Sequence, residues 1–249
     1  MSAARWFECA HELLTRIRTT QTEAIRQAAG LIADAAAAGG GVHIYDTGHC
    51  SHEPLHRAGG LLMLHDLQLG LDLVSTPAPR RAGDVAARQR DRRGAADEEL
   101  ADFALRRSAL APGDVLIVNS VSGKAPLPVQ VALSAAQLGV HVVAITSVTY
   151  SRAVASQHSS GRKLFEVAEV VIDNCGVVGD AALEVEGLDT KAIPTSGLAF
   201  CYIVWALTAE VISQLLARGL TPHVYRSVNL PDGEAFNARA EAEYRETGI

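Results

Sequence analysis

Aromatic residues are scarce in this chain of 249 residues: Phe, Trp and Tyr make up 5% of it. The core must therefore be built from Ala, Leu and Val. Cysteine is sparse as well. Cys9, Cys50, Cys175 and Cys201 lie far apart with no C-x-x-C pair, which excludes a disulfide framework and reads as reduced thiols of a cytoplasmic protein. There is no excess of positive charge. Lys and Arg number 22 against 28 Asp and Glu, so the electrostatic footprint of a nucleic-acid binder is missing and no nucleic-acid partner is expected. No uncharged apolar run reaches the roughly 18 residues a membrane span needs; the longest, Gly197–Ala209, is too short, so no membrane association is expected. Residues 1–18 carry charges throughout and show no apolar core of a secretory signal. Neither nucleotide fingerprint, G-x-x-x-x-G-K-[ST] or G-x-G-x-x-G, follows a strand. Ser122-Gly123-Lys124 lacks the upstream glycine of a phosphate-binding loop of that kind.

What remains is an ordinary globular composition, 48% hydrophobic and 20% charged, long enough for one large domain. Residues 3–38 carry an apolar stripe (Leu13, Leu14, Ile17, Ile25, Leu31, Ile32) at helical spacing and are stopped by Gly39-Gly40-Gly41. Val42–Tyr45 reads as a buried strand, running into the small, polar loop Asp46–Ser51 and a helix over 53–64. A second strand is expected at Leu71–Val74. Residues 80–108 hold eight Arg and six Asp or Glu; the near-cancelling charges predict a solvated loop to about Gly94 and a helix over 97–107.

The clearest unit is Pro112–Ile145. A turn at Pro112-Gly113-Asp114, a strand at Val115–Val118, a loop at Asn119–Lys124, a helix at Pro126–Leu138 stopped by Gly139, and a strand at Val140–Ile145 form one βαβ unit. A strand at Val170–Ile172, a long apolar helix at Pro194–Arg218 and a tail helix at Glu234–Glu246 follow. Alternating strands and helices predict an α/β fold with a parallel sheet. The divisions are a helical N-terminal extension over 1–41, the α/β domain over 42–222, and a tail over 223–249.

Ligands of open parallel sheets bind at the carboxyl ends of the strands. Four segments should meet there: Thr47-Gly48-His49-Cys50-Ser51, Ser120-Val121-Ser122-Gly123-Lys124, Thr146-Ser147, and Thr195-Ser196. Such residues ordinarily serve as helix caps. Several hydroxyl- and glycine-rich loops feeding helix N-termini, however, make an anion site, because unpaired N–H groups and the helix dipole favour negative charge. Its natural ligand is a phosphate monoester. Beside it stand His49, His52, Glu53 and His56. A carboxylate and imidazoles next to a bound sugar phosphate suit proton transfer alpha to a carbonyl. Such a transfer requires no cofactor, and zinc is the metal these groups suit. The string His52-Glu53-Pro54-Leu55-His56 matches H-E-x-x-H, but Pro54 breaks the helical face that a zinc protease needs. Asp180 and Glu184 are expected at the rim, with a turn-capping Asp and an exposed Glu as the equal alternative, and His43 and His65 are expected to pack or face solvent.

Taken together, Thr47-Gly48-His49, Arg57–Leu61, Pro112–Pro128, Thr146-Ser147, Val171–Gly176, Gly179–Ala182 and Pro194-Thr195-Ser196 resemble the SIS (sugar isomerase) domain family, in its phosphoheptose-isomerase-like branch. The resemblance covers most of 42–200 and implies a three-layer sandwich, a five-stranded parallel sheet flanked by helices. It also implies a homodimer or homotetramer with sites between subunits, and a phosphate held by an S-x-S-G-x-[ST] loop, here Ser120–Ala125. Ala125 replaces the final hydroxyl, and Asp46 stands where a glycine is common. Of the site residues, Glu53 would be the base, His49 or His52 would assist at oxygen, and His52 and His56 would be zinc ligands. Thr47, Gly48, Ser51, Ser120, Ser122, Gly123, Lys124, Thr146, Ser147, Thr195 and Ser196 would hold the phosphate and substrate. The expected activity is aldose–ketose isomerisation of a sugar phosphate; the alternatives are a lyase and a non-catalytic sugar-phosphate sensor. Regulators of this family carry a helix-turn-helix domain, for which residues 1–41 are too short and too Ala-rich.

Overall fold

A computed structural model describes residues 3–48, 53–70, 80 and 97–249. Five strands form one sheet: β1 (Val42–Asp46), β2 (Leu64–Asp66), β3 (Val115–Asn119), β4 (His141–Thr146) and β5 (Val170–Asp173). Their order is β2-β1-β3-β4-β5 and every pairing is parallel. The α/β fold with a five-stranded parallel sheet is therefore as expected.

Side chains alternate across a strand, and both faces of this sheet are covered. Val42, Ile44, Val115, Ile117, Val143, Ile145 and Ile172 point into one core with α1 (Ala3–Ala37) and α6 (Ser196–Ala217). Leu116, Val118, Val142 and Ala144 point into the other, with α2 (described over 97–105) and α3 (Pro126–Gln137). The strands thus read as continuous apolar runs, the pattern of a sheet buried on both sides. Two shorter helices, α4 (Val148–Ala153) and α5 (Leu164–Val167), frame β4 and β5. An antiparallel hairpin, β6 (Ala181–Leu183) with β7 (Ala192–Pro194), precedes α6, and α7 (Gly233–Thr247) ends the chain.

The long N-terminal helix belongs to the sandwich. Leu13, Ile17, Ile25, Ala28, Ala29, Ile32 and Ala33 recur every three or four residues and are buried. Among the described residues α6 is the one helix long and apolar enough to cross a membrane, because Glu210 is the single charge within it. Its Phe200, Ile203, Leu207, Val211 and Leu215 lie in the core against α1 and the sheet, as a central helix of such a sandwich requires.

The helix expected over 53–64 is absent. Pro54 supplies no N–H, His56 has φ +55° and Gly59 φ +84°, all unsuited to a helix interior. Residues 59–62 instead pair with 223–225: Gly59 N donates to Tyr225 O, Tyr225 N to Gly60 O, and Leu62 N to His223 O. The strand that follows is β2 at Leu64–Asp66; the strand expected at 71–74 lies outside the described residues. The expected loop over 81–94 also lies outside them.

Candidate functional site

The strand order reverses between β1 and β3, so connections leave the sheet in opposite directions there and open a crevice at their carboxyl ends. The loop after β3, residues 120–125, crosses that crevice. Three of its carbonyls are tied to neighbouring segments. Val121 O accepts from Ser147 N and Thr146 Oγ1, Gly123 O from Leu164 N, and Lys124 O from Gln157 N. Among the described residues, the N–H groups of Ser122, Gly123, Lys124 and Ala125 donate to no protein acceptor. They stand at the N-terminus of α3, whose cap residue Ala125 offers no side-chain acceptor and whose first and third residues are Pro126 and Pro128. An uncapped helix start with several free amides is a ready anion cradle.

Gly123 is the residue the loop turns on. Its φ is +56°, and a Cβ there would sit 3.0 Å from Thr146 Oγ1, 3.1 Å from Leu164 Cβ and 3.2 Å from Ser151 Oγ. Ser120 is buried and Ser122 and Lys124 are half-buried; Lys124 is in no ion pair among the described residues. Among the described residues, two buried side-chain atoms have no hydrogen-bond partner, Asn119 Oδ1 and Ser151 Oγ, and both flank this loop. Orphaned polar atoms are uncommon in folded proteins and concentrate where a ligand is due.

Other predicted residues behave differently. Thr47 donates through both its N–H and Oγ1 to Asn119 O at 3.2 Å, closing the β1 side of the crevice, and Gly48 follows in the left-handed region. Thr146 and Ser147 are wholly buried and act as braces. Thr146 Oγ1 donates to Val121 O, and Ser147 Oγ donates to Gly176 O while accepting from Tyr150 N as the cap of α4. Neither reaches a ligand, because their hydroxyls are spent on the loops beside them. Thr195 and Ser196 open α6, but Asp180 takes their donors: its Oδ1 accepts from both amides, at 3.1 and 2.9 Å, and its Oδ2 from Ser196 Oγ at 2.6 Å. A carboxylate already seated on that helix start leaves no vacancy for a second anion. Asp180 is thus a cap, not a rim group, and Glu184 is an exposed partner of Lys191.

Glu53 lies in the irregular segment after the crevice, one-third exposed, 3.6 Å from Arg57 Nη2. His49, Cys50, Ser51 and His52 lie outside the described residues. Among the described residues no three His, Cys, Asp or Glu are arranged to hold a metal. His56 Nδ1 is instead 3.0 Å from Tyr225 OH. Of the two expected zinc ligands, His52 thus lies outside the described residues and His56 is held by Tyr225.

At the other end of the strands lies a second polar group that the sequence did not reveal. His43 and His65 are register partners on β1 and β2, with ring centroids 5.7 Å apart. His43 Nε2 is 3.7 Å from Asp114 Oδ2, and His65 Nε2 is 2.7 Å from Tyr244 OH. Burial pushes the His43 pKa below the usual range, opposed by the Asp114 carboxylate and helped by His65. Burial, with His56 nearby, does the same to His65. The pair holds α7 to the sheet edge rather than serving the crevice.

The fold defines a class: parallel α/β sandwiches with a crevice beside the point where strand order reverses. The family model described as SIS domain matches residues 5–147, and the chain belongs to the SIS domain family. It is 33% identical over 251 residues to a UPF0309 protein of Streptomyces griseus, covering 98% of this chain and 95% of the relative. It is also 33% identical over 246 residues to a UPF0309 protein of Caldanaerobacter subterraneus, covering 96% of each. Among solved structures, a phosphoheptose isomerase from Neisseria gonorrhoeae superposes with a TM-score of 0.52 at 16% identity, covering 84% of this chain and 94% of that one. The sugar isomerase domain of an RpiR transcription factor from Sphaerobacter thermophilus superposes with a TM-score of 0.50 at 18% identity, covering 98% of each. These two likenesses are of fold alone.

Proposed function

We propose that the protein binds a sugar phosphate, with the phosphate on the amides of residues 122–125, and interconverts aldose and ketose forms with Glu53 as the base. The observation that carries the binding is the uncapped start of α3, where four amides are left for an anion. Membership of the SIS domain family, and neighbours of the same fold titled phosphoheptose isomerase, support a phosphorylated sugar as that anion. Lys124 supplies charge where Ala125 lacks a hydroxyl. Ser120 and Ser122 add donors beside the amides, Thr47 and Gly48 stand on the β1 side, and Ser51 is expected to add a hydroxyl. Glu53 would remove the proton alpha to the carbonyl, and His49 or His52 would protonate the oxygen.

A second reading, a sugar-phosphate sensor without chemistry, is favoured by one observation: the Glu53 carboxylate is engaged by Arg57. Thermal unfolding against a panel of sugar phosphates, each with its unphosphorylated sugar, tests the binding. A ligand at about 100 times its Kd adds ~2.7 kcal/mol, a rise of roughly 5–10 °C for a chain of this size. Exchange of substrate C–H for deuterium then separates the readings. The isomerase exchanges, and Glu53→Gln abolishes exchange while binding persists; a sensor binds and never exchanges. The resemblance also supports a homodimer or homotetramer, which sedimentation of the full chain checks.

A further inference from the structure

Between β1 and β2 the chain has to travel the length of the sheet. β1 ends at the crevice, and β2, its parallel neighbour, starts opposite Val42, at the amino end. The irregular segment after the crevice makes that crossing and is held by 223–225 through Gly59, Gly60 and Leu62. A cavity of about 360 Å³ lies against the crossing, lined chiefly by His56, Arg57, Tyr225, Arg226, Ser227 and Asn229. Among the described residues, none that lines it is acidic. Arg226 is fixed in place. Its Nη1 donates to Asp232, its guanidinium carbon lies 4.0 Å from the centre of the Phe236 ring, and its backbone N–H and C=O are both bonded to the Asn237 side chain. Its Nε and Nη2 donate to no protein acceptor among the described residues. The same holds for the N–H groups of Ser227 and Val228, and His56 Nε2 likewise has no protein partner among them, its Nδ1 being bonded to Tyr225 OH. Arg57 is the movable member. Its side chain is 59% exposed, and the one polar contact of its guanidinium among the described residues is Nη2 to Glu53 Oε1 at 3.6 Å.

We propose that this cavity is a second oxyanion site, apart from the cradle at the start of α3, that takes a phosphoryl group on Arg57 and Arg226 and in doing so draws Arg57 away from Glu53. A phosphoryl group suits the lining better than a carboxylate, because three oxygens can take donors that come from both the 56–57 and the 226–228 segments at once. Each guanidinium offers a planar fork for it. The anchored Arg226 receives the ligand, and Arg57 closes on it. A surface ion pair as long as that of Arg57 with Glu53 is weak, so a doubly charged group displaces it readily. Empty, the site leaves Glu53 held against a cation; occupied, it leaves the carboxylate unpaired. The two states are linked reciprocally, so whatever takes Glu53 from Arg57 tightens the site. The site itself is independent of the phosphate reading of the crevice, and its consequence for chemistry rests on Glu53 as the base.

Titration calorimetry of the full chain with inorganic phosphate tests this. The wild type is expected to show two classes of site. Arg57→Gln and Arg226→Gln should each weaken one class about tenfold or more, the loss that goes with a charged hydrogen bond, and leave the other class unchanged. Gly123→Ala should do the reverse. Arg57 is exposed, so its variant decides the matter even where Arg226→Gln does not fold. Glu53→Gln removes the competitor for Arg57 and should tighten the Arg57-dependent class roughly threefold, the worth of an exposed ion pair. Glycerol 3-phosphate separates the sources of the group: tighter binding than inorganic phosphate at that class marks a phosphorylated small molecule, equal binding marks free phosphate, and both uphold the site. Phosphate binding that ignores both arginines overturns the inference. An Arg57-dependent class that Glu53→Gln leaves unchanged or weakens overturns the link to the base. Absence of a Gly123-dependent class in the wild type overturns the crevice reading and leaves this site standing.

Discussion

Gly123 is the position at which fold and site depend on the same atoms, and Gly123→Ala measures that dependence. Two costs arise. The backbone sits at φ +56°, where a residue with a Cβ pays about 1–2 kcal/mol. The added methyl would also press on Thr146 Oγ1 at 3.0 Å, Leu164 Cβ at 3.1 Å and Ser151 Oγ at 3.2 Å. All three residues are fully buried, so none can swing into solvent, and overpacking of this kind costs about 1–3 kcal/mol. The sum, about 2–5 kcal/mol, should lower the urea midpoint and reduce Tm by roughly 4–20 °C for a chain of this length. Gly161→Ala is the control: its φ is +71°, but nothing lies within 4 Å of its Cβ, so only the backbone cost applies. The difference between the two variants isolates the packing cost. Gly123→Ala should also weaken inorganic phosphate binding, because relief of the contacts must turn the amides of 122–125. A Gly123→Ala protein as stable as Gly161→Ala, with unchanged phosphate affinity, would refute the reasoning.

Acid should weaken the hold of α7 on the sheet. His43 and His65 titrate below 6.5 in the fold, so the unfolded chain binds more protons as pH falls below that value; stability is full above it and is lost on acidification through the folded pKa values. His65→Gln should flatten the slope of Tm between pH 7 and 5, and an unchanged slope would exclude the pair as its source. Asp180→Ala removes an acceptor of two amides and a hydroxyl at the start of α6 and should cost about 1–2 kcal/mol in chemical unfolding; a smaller loss would mean that those donors find water at no cost. Tyr45, buried and flanked by the Asp97 and Asp46 carboxylates, has its pKa pushed up to about 12, so ultraviolet titration should find one tyrosine of the native protein ionising near there and returning to about 10 on unfolding.

The unit from Pro112 to Ile145 was legible because each local signal agreed: an apolar run bounded by turns, Pro at the helix start, Gly at its end. The loop over 120–125 was legible as a loop for the same reason, since hydroxyls and glycine stand between a buried strand and a helix. The segment after β1 was not. A helix was expected to follow the loop, over 53–64, but partners more than 160 residues away, at 223–225, take its backbone groups. Tertiary pairing of that kind has no local trace. Composition also could not distribute roles among hydroxyls. Thr146, Ser147, Thr195 and Ser196 look alike in sequence, yet burial makes braces of the first two and Asp180 claims the others. Asn119 was read as the first residue of a loop; aligning the ends of β1 and β3 would have paired it with Asp46.

The three carbonyls that pin the anion loop are held by one hydroxyl and three backbone amides, of Ser147, Leu164 and Gln157. Backbone amides take no notice of which side chains the loop displays. Residues 122, 124 and 125 can therefore be exchanged with little strain on the frame that shapes them, provided glycine stays at 123. A loop so built is a fixed socket with replaceable fittings. Ala125, which stands where the S-x-S-G-x-[ST] pattern ends in a hydroxyl, is the kind of change that such a frame tolerates.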